Sequence, residues 1–488
     1  MRRGDWVLVG AGVNLTLLNF ILVQAFGIAF RAPELAVLTF SLSYFGGLSL
    51  GYFFSDRLPR TVAALLLPAM MPVQMAVIVG LQAGAYLVYR DVSMAAEIHQ
   101  WSADPGWLTA YVVAFGLIML SSTSVYAIIL PAMIESERDR FQSLYSMEIA
   151  GSILGLLLVP ALLSVSHLVL IACYFLVYIA IAVLLKVNKS IVAMMALGVV
   201  AFVAGAPGWD ARLSTWFYQQ WYPGKNVESV IYSRYTPYHK IEVLKLADGT
   251  PMLTLNGKRQ FAHAGHYNYS YFLAEYPARL LGHPSVNLLG CGVMSTVGRM
   301  GDFVRDITIV DIDREVFETS RRYFQRYNRL DSLHNWRFVE DDAKHFIANT
   351  DQRFDLILHD IPPAYSRQIA LTYTREFFTM VKARLADQGI FSMASLSPID
   401  SDSHYGKRLI ATLTQSFDQY FVLVKGSSVY FYGGKASLNI PDKRRLRAAI
   451  HHKARDRIDI YVNQEVDELV KGARIITIAN VGDLIFDD

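Results

Sequence analysis

The sequence predicts a multi-pass α-helical membrane domain followed by an α/β domain on a mostly parallel sheet, with a small N-terminal β-hairpin sheet attached to the latter. Three observations carry this. Residues 6–206 hold long apolar runs broken by few charges. Residues 227–261 alternate apolar and polar side chains and are punctuated by Asp248-Gly249 and Asn256-Gly257. From Val286 onward the runs VNLLGCG, ITIVDID, FVEDD and FDLILHD each end in glycine or aspartate and are separated by helical stretches.

A chain of 488 residues exceeds what one core organises. The expected division is a helical bundle at 1–206, a linker with the small antiparallel sheet and a helix at 207–285, the α/β domain at 286–436, and an extension at 437–488. The overall 53% hydrophobic content averages two unlike halves. A net charge of only +3 argues against a nucleic-acid partner held by bulk electrostatics. Of the two cysteines, Cys173 lies in an apolar run and Cys291 in the glycine turn, so no disulfide is expected.

Seven apolar stretches are candidate spans: about 6–30, 35–55, 62–88, 107–134, 147–165, 167–186 and 190–206. Each is near or above the roughly 17–25 residues that a bilayer crossing needs, the last being the shortest. The first continues to Phe30 without a small-residue cleavage site, so it reads as a helix and not as a signal peptide. Gly47-x-x-x-Gly51 and Gly151-x-x-x-Gly155 have the spacing that lets helix backbones approach closely. Asn14, Asn19, Gln24 and Ser121–Ser124 read as scattered helix–helix hydrogen bonding, and Glu148 as an interfacial group. Arg2, Arg3, Arg57, Arg60, Arg138, Arg140, Lys186 and Lys189 fall on one side, against Arg31 and Arg90 on the other. The expected location is the cell inner membrane, with the N-terminus cytoplasmic. Seven full spans then place residues 207–488 outside, whereas nucleoside chemistry points to the cytoplasm, and the sequence leaves the side open.

In the soluble half, strands are expected at about 286–289, 307–311, 336–339, 355–359 and 389–394, and helices at about 267–282 and Lys443 to Arg457. The last is a basic, solvated face. Gly290 and Gly292 permit a tight turn and close backbone approach to a ligand. Asp311, about 20 residues further on at a strand end, is placed to accept ribose hydroxyls. Asp342 and Asp360 follow at the next two strand ends. Three acids on one sheet edge define a Rossmann-like nucleoside-binding domain of the S-adenosylmethionine methyltransferase type.

The same half resembles the spermidine synthases, the polyamine aminopropyltransferases, and in particular their membrane-fused branch. The residues that carry the resemblance run from Tyr222-Pro223-Gly224 to Pro398. They include Thr236-Pro237-Tyr238, Leu255 to Phe261, the Gly-x-Gly turn, Val310 to Asp313, Asp341-Asp342-Ala343, Asp360-Ile361-Pro362 and Tyr373-Thr374-Arg375-Glu376-Phe377. The resemblance implies decarboxylated S-adenosylmethionine, or S-adenosylmethionine, held by Gln260, Gly290, Gly292, Asp311 and Asp342. It implies Asp360 as the base toward the attacking amine and Tyr269 as a residue that places that amine. No metal is implied. The acids with which the family holds a diamine are replaced here by Gly265-His266, Ser270-Tyr271 and Pro363.

The expected activity is aminopropyl transfer to a small-molecule amine acceptor by an enzyme anchored in the lipid bilayer. Two other classes stay open: an S-adenosylmethionine-dependent transferase with a different acceptor, and a non-catalytic nucleoside-binding sensor or complex subunit. A homodimer or a membrane-complex partner is compatible with each. Convergence of Glu275, Asp313 or Asp402 on the acceptor side would favour aminopropyl transfer.

Overall fold

The computed structural model describes residues 2–30, 33–55, 60–88, 105–134, 140–260, 266–364, 367–395, 397–399 and 404–485. The described residues divide into two compact units, one within residues 1–249 and the other within residues 250–488.

The first unit contains α1 (Arg3–Phe30), α2 (Pro33–Ser55), α3 (Arg60–Val88), α4 (Pro105–Ile134), α5 (Phe141–Val165), α6 (His167–Leu184) and α7 (Lys189–Trp221). Five helices among the described residues are long and apolar enough to cross a membrane, and Leu65–Gly80 and Val113–Ile129 are shorter apolar stretches. The expected domain boundary near residue 206 falls inside α7, which continues to Trp221. Hydropathy ends there, but backbone hydrogen bonding does not.

Both glycine pairs are contact points. A Cβ on Gly151 would collide with the Val9 carbonyl, and one on Gly155 would lie 2.9 Å from Thr16 Cβ, so α1 and α5 meet backbone to backbone. Gly47 and Gly51 likewise face Leu120, Thr123, Ser124 and Ala127 of α4. Ser124 Oγ donates to the Gly47 carbonyl at 2.9 Å, and Thr16 Oγ1 donates to the Ser152 carbonyl at 3.2 Å. Asn14 joins a buried chain through Tyr126, at 3.2 Å, and on to Tyr174 and Gln74. Glu148, expected at the interface, is instead buried at 6% exposure because α1 packs over α5 at this level.

Named contacts sort the ends of this unit. Arg140 pairs with Asp5 at 2.7 Å, and Arg3 donates to the Val183 carbonyl at 3.3 Å. At the other end of the helices, Gln24 donates to the Thr236 carbonyl at 3.3 Å, and the His167 ring stacks on Tyr235. Tyr235 and Thr236 sit where β1 (Val227–Tyr235) turns toward β2 (Lys240–Leu246), an antiparallel pair. Buried Lys240 pairs with Asp210 at 2.9 Å and Glu242 at 3.0 Å, tying this hairpin to the end of α7.

The second unit opens with β3 (Pro251–Leu255) and β4 (Lys258–Arg259), joined through Asn256 and Gly257, both at positive φ. The stretch expected as one helix is α8 (His266–Ser270), a π-helical turn at Tyr271–Glu275, and α9 (Tyr276–Leu281). The sheet comprises β5 (Ser285–Leu289), β6 (Asp306–Asp311), β7 (Trp336–Glu340), β8 (Phe354–His359), β9 (Leu385–Ser395), β10 (Gln419–Lys425), β11 (Ser428–Gly434) and β12 (Asp459–Val462). Its order is β12-β10-β11-β9-β8-β5-β6-β7, with β7 to β9 parallel and the remainder antiparallel. The expected basic helix over Lys443 to Arg457 is shorter, Lys443–Ala449. The chain becomes extended at Ile450 and continues to β12, whose pairing with β10 covers that strand's edge.

Replacing Gly151 by alanine is expected to destabilise the first unit by about 1–3 kcal/mol through overpacking. Gly80, with nothing within 4 Å of its Cβ position, should gain slightly from the same change, because alanine is the better helix former. Thermal unfolding of the two variants in detergent checks the opposite signs.

Candidate nucleoside and proton-transfer site

The sheet reverses direction at β5: β6 and β7 lie to one side, and β8 returns to the other. Ligands of open α/β sheets sit beyond the strand ends at such a reversal. Here the two strand ends are locked together. The Asp360 amide donates to the Leu289 carbonyl at 2.8 Å, and the Gly290 amide to Val310 at 2.8 Å. Gly290 has φ +85°, and a Cβ on it would stand 2.6 Å from the Asp360 carbonyl. Gly292, at φ +46°, has open space where its Cβ would be, and Ser320 Oγ holds its carbonyl. Helix α10 (Ser295–Met300) starts after Met294, which is itself left-handed.

Asp311 ends β6 and faces this turn. Its two oxygens accept the backbone N–H groups of Cys291 and Asp313, each at 2.8 Å. A carboxylate has about four acceptor positions, and this one stands at the strand end where ribose hydroxyls are held in such sheets. Cys291 itself is buried. Burial, and then the charge of Asp311, push its thiol well above the usual range, so it is a packing residue and not a nucleophile. Asp342 caps the N-terminus of α12 (Ala343–Asn349), accepting from Lys344 at 2.9 Å and His345 at 3.1 Å. Gln260 follows β4, half-buried, with its amide on the Lys258 carbonyl at 3.4 Å.

Asp360 follows β8 at the same edge. Tyr269, on α8, donates its phenol to Asp360 Oδ1 at 2.6 Å. This joins the two residues expected to act on the amine, which lie 91 positions apart. Burial raises the Asp360 carboxyl, the Tyr269 hydrogen bond lowers it, and the nearby charge of Asp311 raises it again; the result is about 6. The preceding His359 is held neutral by burial, which lowers it to about 4 against the opposing effect of its hydrogen bond to the Thr372 carbonyl at 3.2 Å.

Sequence reading missed two features here. Tyr373 donates to the carbonyls of Ile361, at 3.0 Å, and Pro362, at 2.8 Å, and so pins the loop that carries Asp360. Tyr373 stood inside a quoted motif, but nothing local indicated its target. Tyr269 also lines a cleft of about 460 Å³ whose wall includes Asn268, Lys425, Tyr430, Asp456 and Arg457. Of the acids expected to converge on the acceptor side, Glu275 pairs with Arg279 at 2.9 Å and Arg299 at 3.3 Å. Asp313 caps α11 (Arg314–Tyr323) through Glu315. Asp402, Gly265 and the side chain of His266 lie outside the described residues.

The family model described as the spermine/spermidine synthase domain matches residues 279–431. That stretch includes Gly290, Gly292, Asp311, Asp342 and Asp360, and begins after Gln260 and Tyr269. Polyamine aminopropyltransferase 1 of Aquifex aeolicus (strain VF5) is 28% identical over 203 residues, 41% of this chain and 70% of that protein. The polyamine aminopropyltransferase of Leptospira interrogans is 30% identical over 197 residues, 38% of this chain and 39% of that one. The Sulfurisphaera tokodaii enzyme of the same name is 28% identical over 178 residues, 35% and 59% of the two chains. The chain therefore spans less than two thirds of the last two. Among solved structures, spermidine synthase from Thermotoga maritima shares 18% identity over 53% of this chain and 87% of that chain, at TM-score 0.39.

The geometry predicts that the Asp360 carboxyl titrates near 6. Infrared pH-difference spectra should show this band, and Asp360→Asn should remove it. Tyr269→Phe should move it to higher pH, because the phenol stabilises the carboxylate, and Asp311→Asn to lower pH.

Proposed function

The chain is spermidine synthase-like in its C-terminal half, and from that premise we propose that it transfers an aminopropyl group from decarboxylated S-adenosylmethionine to an amine acceptor. The observation that carries the reading is the Tyr269–Asp360 hydrogen bond at the strand reversal, beside the Gly290 turn and Asp311. Asp311, at the end of β6, would accept the ribose hydroxyls. Asp342 and Gln260 would complete the nucleoside pocket, and the sulfonium would point toward Asp360.

The chemistry is a displacement. The acceptor nitrogen attacks the propyl methylene next to sulfur, the C–S bond breaks, its electron pair stays on sulfur, and methylthioadenosine leaves. A free ammonium has no lone pair to offer, so a proton must go. An amine with pKa about 10 resists losing it, but the nitrogen becomes more acidic as the N–C bond forms. Asp360, near 6, is ionised at neutral pH and is a stronger base than an ordinary aspartate. Tyr269 holds the carboxylate in one orientation throughout, and holding the two reactants in line supplies much of the remaining acceleration.

The helical unit anchors this activity to a membrane. The end that carries Arg3, Arg140, Lys186 and Lys189 would be cytoplasmic by the charge rule, and the β1–β2 end would face the other side.

Asp360→Asn is expected to slow methylthioadenosine release by about 10²–10⁴-fold, the usual worth of a general base, with donor affinity preserved in calorimetry. Release at an unchanged rate would remove Asp360 as the base. Asp311→Ala should weaken donor binding by about 1.5–3 kcal/mol for each ribose bond lost. For topology, a cysteine introduced at Asp248 should react with an impermeant thiol reagent in intact cells. Protection would mean that one candidate segment does not cross.

A further inference from the structure

The cleft shared by Tyr269 is charged in an uneven way. Lys425 Nζ is fixed by two neutral acceptors, the backbone carbonyls of Ala454 at 2.8 Å and Asp456 at 3.1 Å. It also lies 5.9 Å from the centroid of the Phe272 ring, and none of these neutral contacts cancels its charge. Arg457 is exposed on the same wall, in a left-handed conformation at φ +55°. Its planar fork of five donors suits a carboxylate or phosphate group. Among the described residues, Asp456 is the one carboxylate in the lining, against two cations. The volume of about 460 Å³ is within the range of small-molecule sites.

We propose that the acceptor is a zwitterion: a primary amine that also carries a carboxylate or phosphate, with the anionic group held by Lys425 and Arg457 and the amine turned to Asp360. This rests on the aminopropyl-transfer reading and specifies its acceptor. A diamine entering the same cleft would bring its second ammonium against Lys425 and Arg457, with Asp456 alone to offset them. A simple monoamine would bring no anion to either cation. In the reaction, the zwitterion's nitrogen bonds to the propyl methylene, the C–S bond breaks with its electron pair going to sulfur, and the proton shed by nitrogen passes to Asp360. The anionic group is unchanged, so the product carries a secondary amine, a terminal ammonium and the original anion. Two sources offer this chemistry, a free amino acid or aminophosphate and the headgroup of an aminophospholipid.

The test uses the full chain in phosphatidylcholine nanodiscs with decarboxylated S-adenosylmethionine, and reads methylthioadenosine release. Acceptors are putrescine, n-butylamine, γ-aminobutyrate, phosphoethanolamine, and discs containing phosphatidylethanolamine. At least one zwitterion should exceed putrescine and n-butylamine by about tenfold or more in kcat/KM. Arg457→Gln and Lys425→Gln, checked for unchanged melting temperature, should each cut that preference by about tenfold. Release with the soluble zwitterions assigns a free acceptor, and release only with phosphatidylethanolamine discs assigns a lipid headgroup. A preference for putrescine or n-butylamine, or variants that slow every acceptor alike, overturns the zwitterion proposal and leaves aminopropyl transfer standing. Silence with every acceptor overturns aminopropyl transfer itself.

Discussion

The approach of the β5 turn to the end of β8 governs the second unit. Gly290 lies so close to Asp360 that a Cβ would come within 2.6 Å of its carbonyl, and only a residue free to adopt φ +85° at low cost fits there. Because the two strand ends touch, Asp311 and Asp360 face one gap, and the charge of the first raises the second. A larger residue at Gly290 would push β8 away and lose both the turn's shape and the electrostatic coupling.

The acids around this gap are divided among different tasks. Asp311 already carries two backbone amides, Asp342 and Asp313 cap helices, and Glu275 is paired with two arginines. Asp360 differs in being held by a phenol. A phenol stabilises a carboxylate without adding charge, which leaves the group basic enough to accept a proton near neutral pH.

Much of this was legible in the sequence. Strands β5 to β8 are short apolar runs that end in glycine or acid, and that local pattern gives both their identity and the edge on which their ends lie. The glycine pairs of the helical unit were legible as spacing, and the structure adds what each pair faces. Other features depend on contacts distant in sequence. Lys425 and Arg457 meet Tyr269 only because the antiparallel strands β10 and β11 extend the sheet past β9, an arrangement that no local signal announces. The basic stretch after Lys443 favoured a long helix by composition, yet its end is set by β12 pairing with β10. The boundary near 206 followed hydropathy, while α7 follows its own hydrogen bonds to Trp221.

The most direct test is an experimental structure of the full chain with decarboxylated S-adenosylmethionine bound. The account predicts the ribose hydroxyls on Asp311 and the propyl methylene next to sulfur facing the Asp360–Tyr269 pair, with free space between that carbon and the Lys425 cleft. A nucleoside bound away from the β5–β8 reversal, or seated there with its propyl arm directed away from Asp360, would contradict it.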